Sequence, residues 1–81
     1  MMKKGGDNTT ALLQIKLVTV PEVAIFNSIC NSIDCKTTLR SGSYAVDAKS
    51  LMGIFSLNLS NPVTLELSDD KYADKFSEWV V

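Results

Sequence analysis

The sequence predicts an α+β fold, an open-faced sandwich in which three helices cover one face of a four-stranded antiparallel sheet. Two observations predict it. Four short segments alternate apolar and polar residues, and three others open with helix-capping residues and continue with apolar residues at helical spacing. These segments follow one another in the order β-α-β-β-α-β-α. Because the strands alternate instead of being apolar throughout, we expect one face of the sheet to be open.

The domain is predicted to span 11–81. Residues 1–10 are polar and show no periodicity, which is typical of a flexible leader and unlike a secretory signal. In the first strand Leu13, Ile15 and Leu17 occupy alternate positions, so they are expected to share one face of the sheet.

A capping box begins the first helix. Thr19 is followed three residues later by Glu22, so each side chain can accept a backbone hydrogen bond at the helix start. Pro21 suits the first turn, where its missing N–H costs nothing. We predict a helix from about Pro21 to Asn31. Its apolar stripe consists of Val23, Phe26, Ile29, Cys30 and Ile33, and its opposite face carries Asn27, Ser28 and Asn31.

A hairpin and a short helix follow. Alternation over 34–40, a turn at Ser41-Gly42-Ser43 and a return strand over 44–47 predict the hairpin. Ser50 is a natural N-cap for the next segment, which is predicted to be a short helix with Gly53 as its weak point. The apolar residues of that segment are Leu51, Met52, Ile54, Phe55 and Leu57.

The last two elements are a strand and a helix. Apolar residues alternate over 63–67, which predicts the fourth strand. Ser68, followed by two acidic residues, is expected to cap an amphipathic helix that runs to the chain terminus. The helical spacing rests on Tyr72, Phe76, Trp79 and Val80. Of these, Tyr72, Phe76 and Trp79 are expected in the core.

Composition excludes several classes of partner. The 81 residues suffice for one domain, and the net charge is −1 with scattered basic residues. Nucleic acid is not an expected partner, because phosphate binding needs a basic face. A membrane is not an expected partner either, because the chain lacks the run of about 20 apolar residues that spans a bilayer. We expect a cytoplasmic protein whose partners are proteins.

The residue types also argue against an enzyme. The chain has no histidine, so no Ser–His or Cys–His pair can form, and no glycine-rich phosphate loop follows a strand. The two cysteines, Cys30 and Cys35, lack C-x-x-C spacing and have no histidine to complete a zinc set. We interpret them as buried thiols, and we expect neither a metal nor a cofactor.

The segment Val46–Leu57 has the sequence VDAKSLMGIFSL, and with the element order it resembles HPr, the phosphocarrier of the bacterial sugar phosphotransferase system. The specific part is Lys49–Gly53 followed by Ser56 and Leu57. In that family a histidine at the N-terminus of the first helix, followed by arginine and proline, accepts phosphate. Its position falls here on Thr19, and the local sequence is Thr-Val-Pro-Glu.

The family's regulatory serine is retained at Ser50. The resemblance implies phosphorylation there by an ATP-dependent HPr kinase, as in the family's histidine-less paralogue of catabolite repression. The phosphoserine form would then bind a catabolite transcription regulator. Leu51, Met52 and Phe55 resemble the exposed apolar patch that the family's partners bind.

Simpler interpretations remain beside these. Ser50 can be an N-cap only, and Leu51, Met52 and Phe55 can be core residues, although Ile54 and Leu57 are better core candidates. A second hypothesis is therefore a protein-binding scaffold that kept the fold and lost phosphorylation. A third is phosphotransfer on another acceptor, such as Thr19 or Cys30.

Overall fold

The computed structural model describes residues 9–81, so residues 1–8 of the predicted leader lie outside the described part of the chain. The elements follow the predicted order. They are β1 (Ala11–Ile15), α1 (Val20–Ser32), β2 (Thr37–Ser41), β3 (Tyr44–Asp47), α2 (Leu51–Phe55), β4 (Val63–Leu67) and a C-terminal 3-10 helix (Asp70–Trp79).

The four strands form one antiparallel sheet in the order β1-β4-β2-β3. Leu13 pairs with Leu65, which pairs with Leu39 on its other side, and these residues face the helices. The neighbouring row, which includes Glu66 and Thr38, lies on the open face. The predicted α+β open-faced sandwich is therefore confirmed.

An aromatic cluster joins α1 to the C-terminal helix over the covered face. The ring centroid of Phe26 lies 5.4 Å from that of Phe76 and 5.8 Å from that of Trp79, both in edge-to-face arrangements. All three residues are buried, whereas Tyr72 is half-buried. Such ring pairs are favourable beyond their buried area, so this cluster anchors both helices to the sheet.

Several element boundaries differ from the prediction. β1 ends at Ile15, so Leu17, predicted in the first strand, lies beyond it although it is buried. α1 extends one residue further at each end than the predicted Pro21–Asn31. β2 begins at Thr37 and not at Asp34, because Thr37 pairs with the last residue of β4 and nothing in β4 continues beside the preceding residues. Strand pairing, which the alternation of a single segment cannot reveal, sets where β2 starts.

The C-terminal helix differs from the predicted α-helix in its type. It is a 3-10 helix with three residues per turn, so Ala73, Phe76 and Trp79 fall on one line against the core. Its N-cap is Asp69, whose carboxylate accepts from the N–H of Lys71 at 3.1 Å. In the sequence, Tyr72 lies four residues before Phe76 and Trp79 lies three residues after it. In the structure, the three-residue spacing of Phe76 and Trp79 faces the core.

Two residues that were expected in the C-terminal helix make contacts with the strands instead. They are Ser68, the expected cap, and Val80. Ser68 Oγ accepts from the N–H of Lys36 at 2.9 Å, which joins the end of β4 to the start of β2. Val80 is extended, 44% exposed, and pairs with Ile15 at the outer edge of β1. None of the helices between residues 9 and 81 is both long and apolar enough to cross a bilayer.

Candidate functional site

The N-terminus of α1 is closed by its own side chains. Thr19 Oγ1 accepts from the N–H of Glu22 at 3.2 Å, and Glu22 Oε1 accepts from the N–H of Thr19 at 3.2 Å. The same carboxylate oxygen accepts from the N–H of Val18 at 2.7 Å. The predicted capping box is confirmed, and three backbone donors at this end of the helix already have acceptors.

This arrangement disfavours a second anion at Thr19. A phosphate at a helix N-terminus binds the free N–H groups of the first turn and gains from the positive end of the helix dipole. Here the Glu22 carboxylate lies at the same helix end, bonded to the N–H groups of Val18 and Thr19 just before the helix, and its charge would repel a phosphate. The chain also contains no histidine that could carry one.

The N-terminus of α2 is more open. Ser50 is the N-cap, as predicted, and its Oγ accepts from the N–H of Gly53 at 3.1 Å while the residue stays exposed. A Cβ at position 53 would lie only 3.3 Å from both Ser50 Oγ and Val46 Cβ. The glycine therefore lets the first turn close tightly around the serine hydroxyl.

Three apolar residues of α2 face solvent beside Ser50. Leu51, Met52 and Phe55, here called the α2 patch, are 41%, 84% and 45% exposed. Ile54 and Leu57 point into the core and are 0% and 8% exposed. An exposed cluster of large apolar side chains on one short helix is typical of an interaction surface.

A groove of about 340 Å³ extends from the N-terminus of α1 to the last residue of α2. Thr19 and Phe55 both line it, although they lie far apart in the sequence. Lys16 closes one side, with its Nζ donating to the carbonyl of Leu59 at 3.1 Å. The other lining residues are Leu17, Val18, Val20, Val23 and Ser60. Ser50, Leu51 and Met52 do not line the groove, so Phe55 alone links it to the α2 patch.

Sequence reasoning missed several residues around these sites. Val18 and Val20 are 71% and 66% exposed at the rim of the groove. Asn27 and Asn31 were predicted simply to occupy the polar face of α1, but their amides contact the turn before Ser50. The spacing of the two asparagines by four residues was the one available signal, because it places them on the same helix face.

Both cysteines are free thiols within the described structure. Cys30 is fully buried, as predicted, whereas Cys35 is only half-buried because it lies in the loop before β2. Burial raises the pKa of the Cys30 thiol to about 12, with the charge on Lys49 opposing that rise. A thiol must lose its proton to become a strong nucleophile, which argues against Cys30 as a phosphate acceptor. Among residues 9–81 no three side chains of metal-ligating type gather into a site.

No family model matches the chain, and no curated protein matches it significantly. Solved structures do. HPr-C-His from Thermoanaerobacter tengcongensis superposes with a TM-score of 0.67 at 23% identity, covering 86% of this chain and 88% of that one. The phosphocarrier protein HPr from Bacillus anthracis str. Ames superposes with a TM-score of 0.69 at 20% identity, covering 90% and 96%.

The chain has the HPr fold. Both superpositions extend over most of each chain, so the likeness includes the sheet together with its helices. Thr19 and Ser50 thus occupy the N-termini of the first two helices of an HPr fold, one closed by a carboxylate and one capped by an exposed hydroxyl.

Proposed function

We propose that this chain is a non-enzymatic regulatory protein of the HPr family, related to the sugar phosphotransferase system, which is phosphorylated on Ser50 and carries no phosphate on histidine. The observation that carries the proposal is the contrast between the two helix N-termini. At Thr19 the Glu22 carboxylate accepts hydrogen bonds from the backbone, and at Ser50 the residue presents an exposed hydroxyl.

Ser50 suits phosphorylation for a physical reason. The N–H groups of the first helical turn have no carbonyl to bond within the helix. A phosphate on Ser50 Oγ adds a charge of about −1.5 to −2 and three strong acceptors next to those donors. The first turn, Leu51–Gly53, contains no acidic residue. The carboxylate of Asp47 lies in the turn before it, where it accepts from the N–H of Lys49. Phosphorylation therefore changes the surface charge without requiring a new backbone conformation.

The α2 patch supplies the apolar part of the same surface. Met52 is almost fully exposed, and methionine adapts to differently shaped partners. A partner that contacts both the phosphate and the patch would distinguish the modified protein from the unmodified one. By the resemblance, these partners are an HPr kinase and a catabolite transcription regulator in the cytoplasm. No direct contact with nucleic acid is proposed.

Incubation with a purified HPr kinase and ATP tests the modification. We expect one phosphate per chain, located on Ser50 by fragmentation in mass spectrometry, and none in the Ser50→Ala variant. Ser56→Ala is the matched control, because Ser56 is an exposed serine at the other end of α2. The proposal is abandoned if an ordinary HPr is modified under these conditions and Ser50 is not.

A second candidate is a scaffold that binds proteins without phosphorylation. The exposure of Met52 and the groove beside Phe55 favour it, because neither depends on a phosphate. Binding of the purified regulator to Ser50→Asp and Leu51→Asp variants separates the two candidates. Loss of binding only in Leu51→Asp supports the scaffold, whereas a gain of binding in Ser50→Asp supports the phosphoserine form.

A further inference from the structure

The turn formed by residues 47–50, which ends at Ser50, is held by hydrogen bonds to both its backbone N–H groups and its carbonyls. On the donor side, the N–H of Ala48 bonds to the carbonyl of Thr37 at 3.2 Å. The N–H of Lys49 bonds to Asp47 Oδ1 at 2.9 Å, and the N–H of Ser50 bonds to the carbonyl of Asp47 at 2.9 Å. Each backbone donor of the turn from Ala48 to Ser50 therefore has a partner.

The two carbonyls before Ser50 accept from side chains of α1. Asn27 Nδ2 donates to the carbonyl of Ala48 at 3.2 Å, and Asn31 Nδ2 donates to the carbonyl of Lys49 at 3.1 Å. Asn31 Nδ2 also donates to the carbonyl of Asn27 at 2.9 Å, so both its N–H groups are used. In return, Lys49 Nζ donates to the carbonyl of Ile33 at 3.2 Å.

These bonds fix the direction of the Ser50 side chain. The Ala48–Lys49 peptide group is bonded at its carbonyl by Asn27 and at its N–H by Asp47. The Lys49–Ser50 peptide group is bonded at its carbonyl by Asn31 and at its N–H by the Asp47 carbonyl. A peptide plane held at both ends cannot rotate without breaking a bond, and the orientation of the next residue follows from it.

We propose that Asn27 and Asn31 are positioning residues for Ser50: they hold the 47–50 turn so that the serine hydroxyl meets a protein kinase in one orientation. This inference rests on the proposed function, because it names what makes that site an efficient acceptor. A side-chain amide is needed at each position because the contact requires an N–H donor, which aspartate of the same shape as asparagine lacks.

The experiment compares Asn27→Asp and Asn31→Asp with two controls. Ser28→Asp adds the same charge to an exposed position of the same helix. Asn31→Gln keeps the amide donor and serves as the rescue variant. The first measurement is amide hydrogen exchange of Lys49 and Ser50, which needs no kinase. The second is the rate of Ser50 phosphorylation over a range of protein-substrate concentrations.

We expect exchange at Lys49 and Ser50 to accelerate about tenfold in the two Asn→Asp variants, which is the effect of losing one hydrogen bond that closes the turn. We expect kcat for phosphorylation to fall about tenfold as well, because a loosened acceptor is misaligned. KM should stay unchanged, since the α2 patch is intact. Ser28→Asp should match the unaltered chain, and Asn31→Gln should recover most of the rate.

Unchanged exchange at Lys49 and Ser50 in both Asn→Asp variants overturns the inference. So does a rate loss that appears entirely in KM, or one that Ser28→Asp shares, because either outcome indicates a general loss of structure or of charge balance. If the unaltered chain is not phosphorylated at all, the proposed function fails. Hydrogen exchange then still decides whether the two asparagines hold the turn.

Discussion

The N-termini of α1 and α2 begin with the same device and differ in what completes it. At each, a hydroxyl side chain accepts from the N–H three residues later, at 3.2 Å from Thr19 and 3.1 Å from Ser50. Only α1 adds the reciprocal carboxylate, Glu22, which accepts from two further N–H groups. At α2 the N–H groups of Lys49 and Ser50 bond instead to the carboxylate and the carbonyl of Asp47 in the preceding turn, so the first turn of α2 itself contains no carboxylate.

Under the proposed function, this difference separates a helix end that holds a carboxylate from one that accepts a phosphate. Closing the end of α1 required only two residues at capping spacing, Thr19 and Glu22. The segment that contains Ser50 lies on another helix and has its own contacts to β2 and α1. The two ends can therefore change independently.

The comparison also requires that Cys30, the other acceptor considered, does not compete with Ser50. Burial raises the pKa of this thiol from 9.0 to about 12, so above pH 9 the unfolded chain loses the proton before the folded one does. The free energy of unfolding should then be undiminished below pH 9 and fall by up to about 1.4 kcal/mol per pH unit above it.

Urea unfolding between pH 8 and 10.5 measures this effect, with Cys30→Ala as the control that lacks the thiol. The variant should start less stable, because it leaves a small cavity, but should lose stability more slowly as the pH rises. Parallel curves for the two proteins would mean that the thiol is not protected, and Cys30 would return as a rival acceptor.

Removing the caps should affect α1 more than α2. We expect Thr19→Ala with Glu22→Ala to lower the free energy of unfolding by about 2 kcal/mol, because three backbone donors lose their acceptors. Ser50→Ala should cost about 0.5–1 kcal/mol, since it removes one capping bond. Chemical denaturation of both variants at pH 7 measures the difference. Equal losses would contradict the distinction between a closed and an open end.

The charge of Glu22 should make a smaller contribution of its own. Glu22→Gln keeps an oxygen acceptor and removes the negative charge from the positive end of α1. We expect a loss of about 0.3–1 kcal/mol that shrinks as salt is added. Glu78→Gln, at an exposed position near the end of the C-terminal helix, is the matched control and should change little. If the loss in the free energy of unfolding did not depend on salt, it would come from altered hydrogen-bond geometry and not from the charge of Glu22.

Local patterns predicted most of the fold. Alternation located β4, and the caps located the starts of α1 and α2, because each of these signals is contained within a few neighbouring residues. The burial of Ile54 and the exposure of Met52 also follow the predicted division of α2 into a core side and a surface side. The local pattern was insufficient where a residue's hydrogen-bonding or packing partner lies elsewhere in the chain.

The residues themselves determined that this chain has no histidine to carry phosphate, that Thr19 and Glu22 cap α1, and that Ser50 caps α2, since composition and capping depend only on which residues stand at which spacing. Tertiary structure alone decided that Asn27 and Asn31 reach the turn before Ser50. It also placed Phe55 in one groove with Thr19. The physical reason is that both arrangements depend on how α1 packs beside α2, and the packing of two helices is set by the sheet and core beneath them.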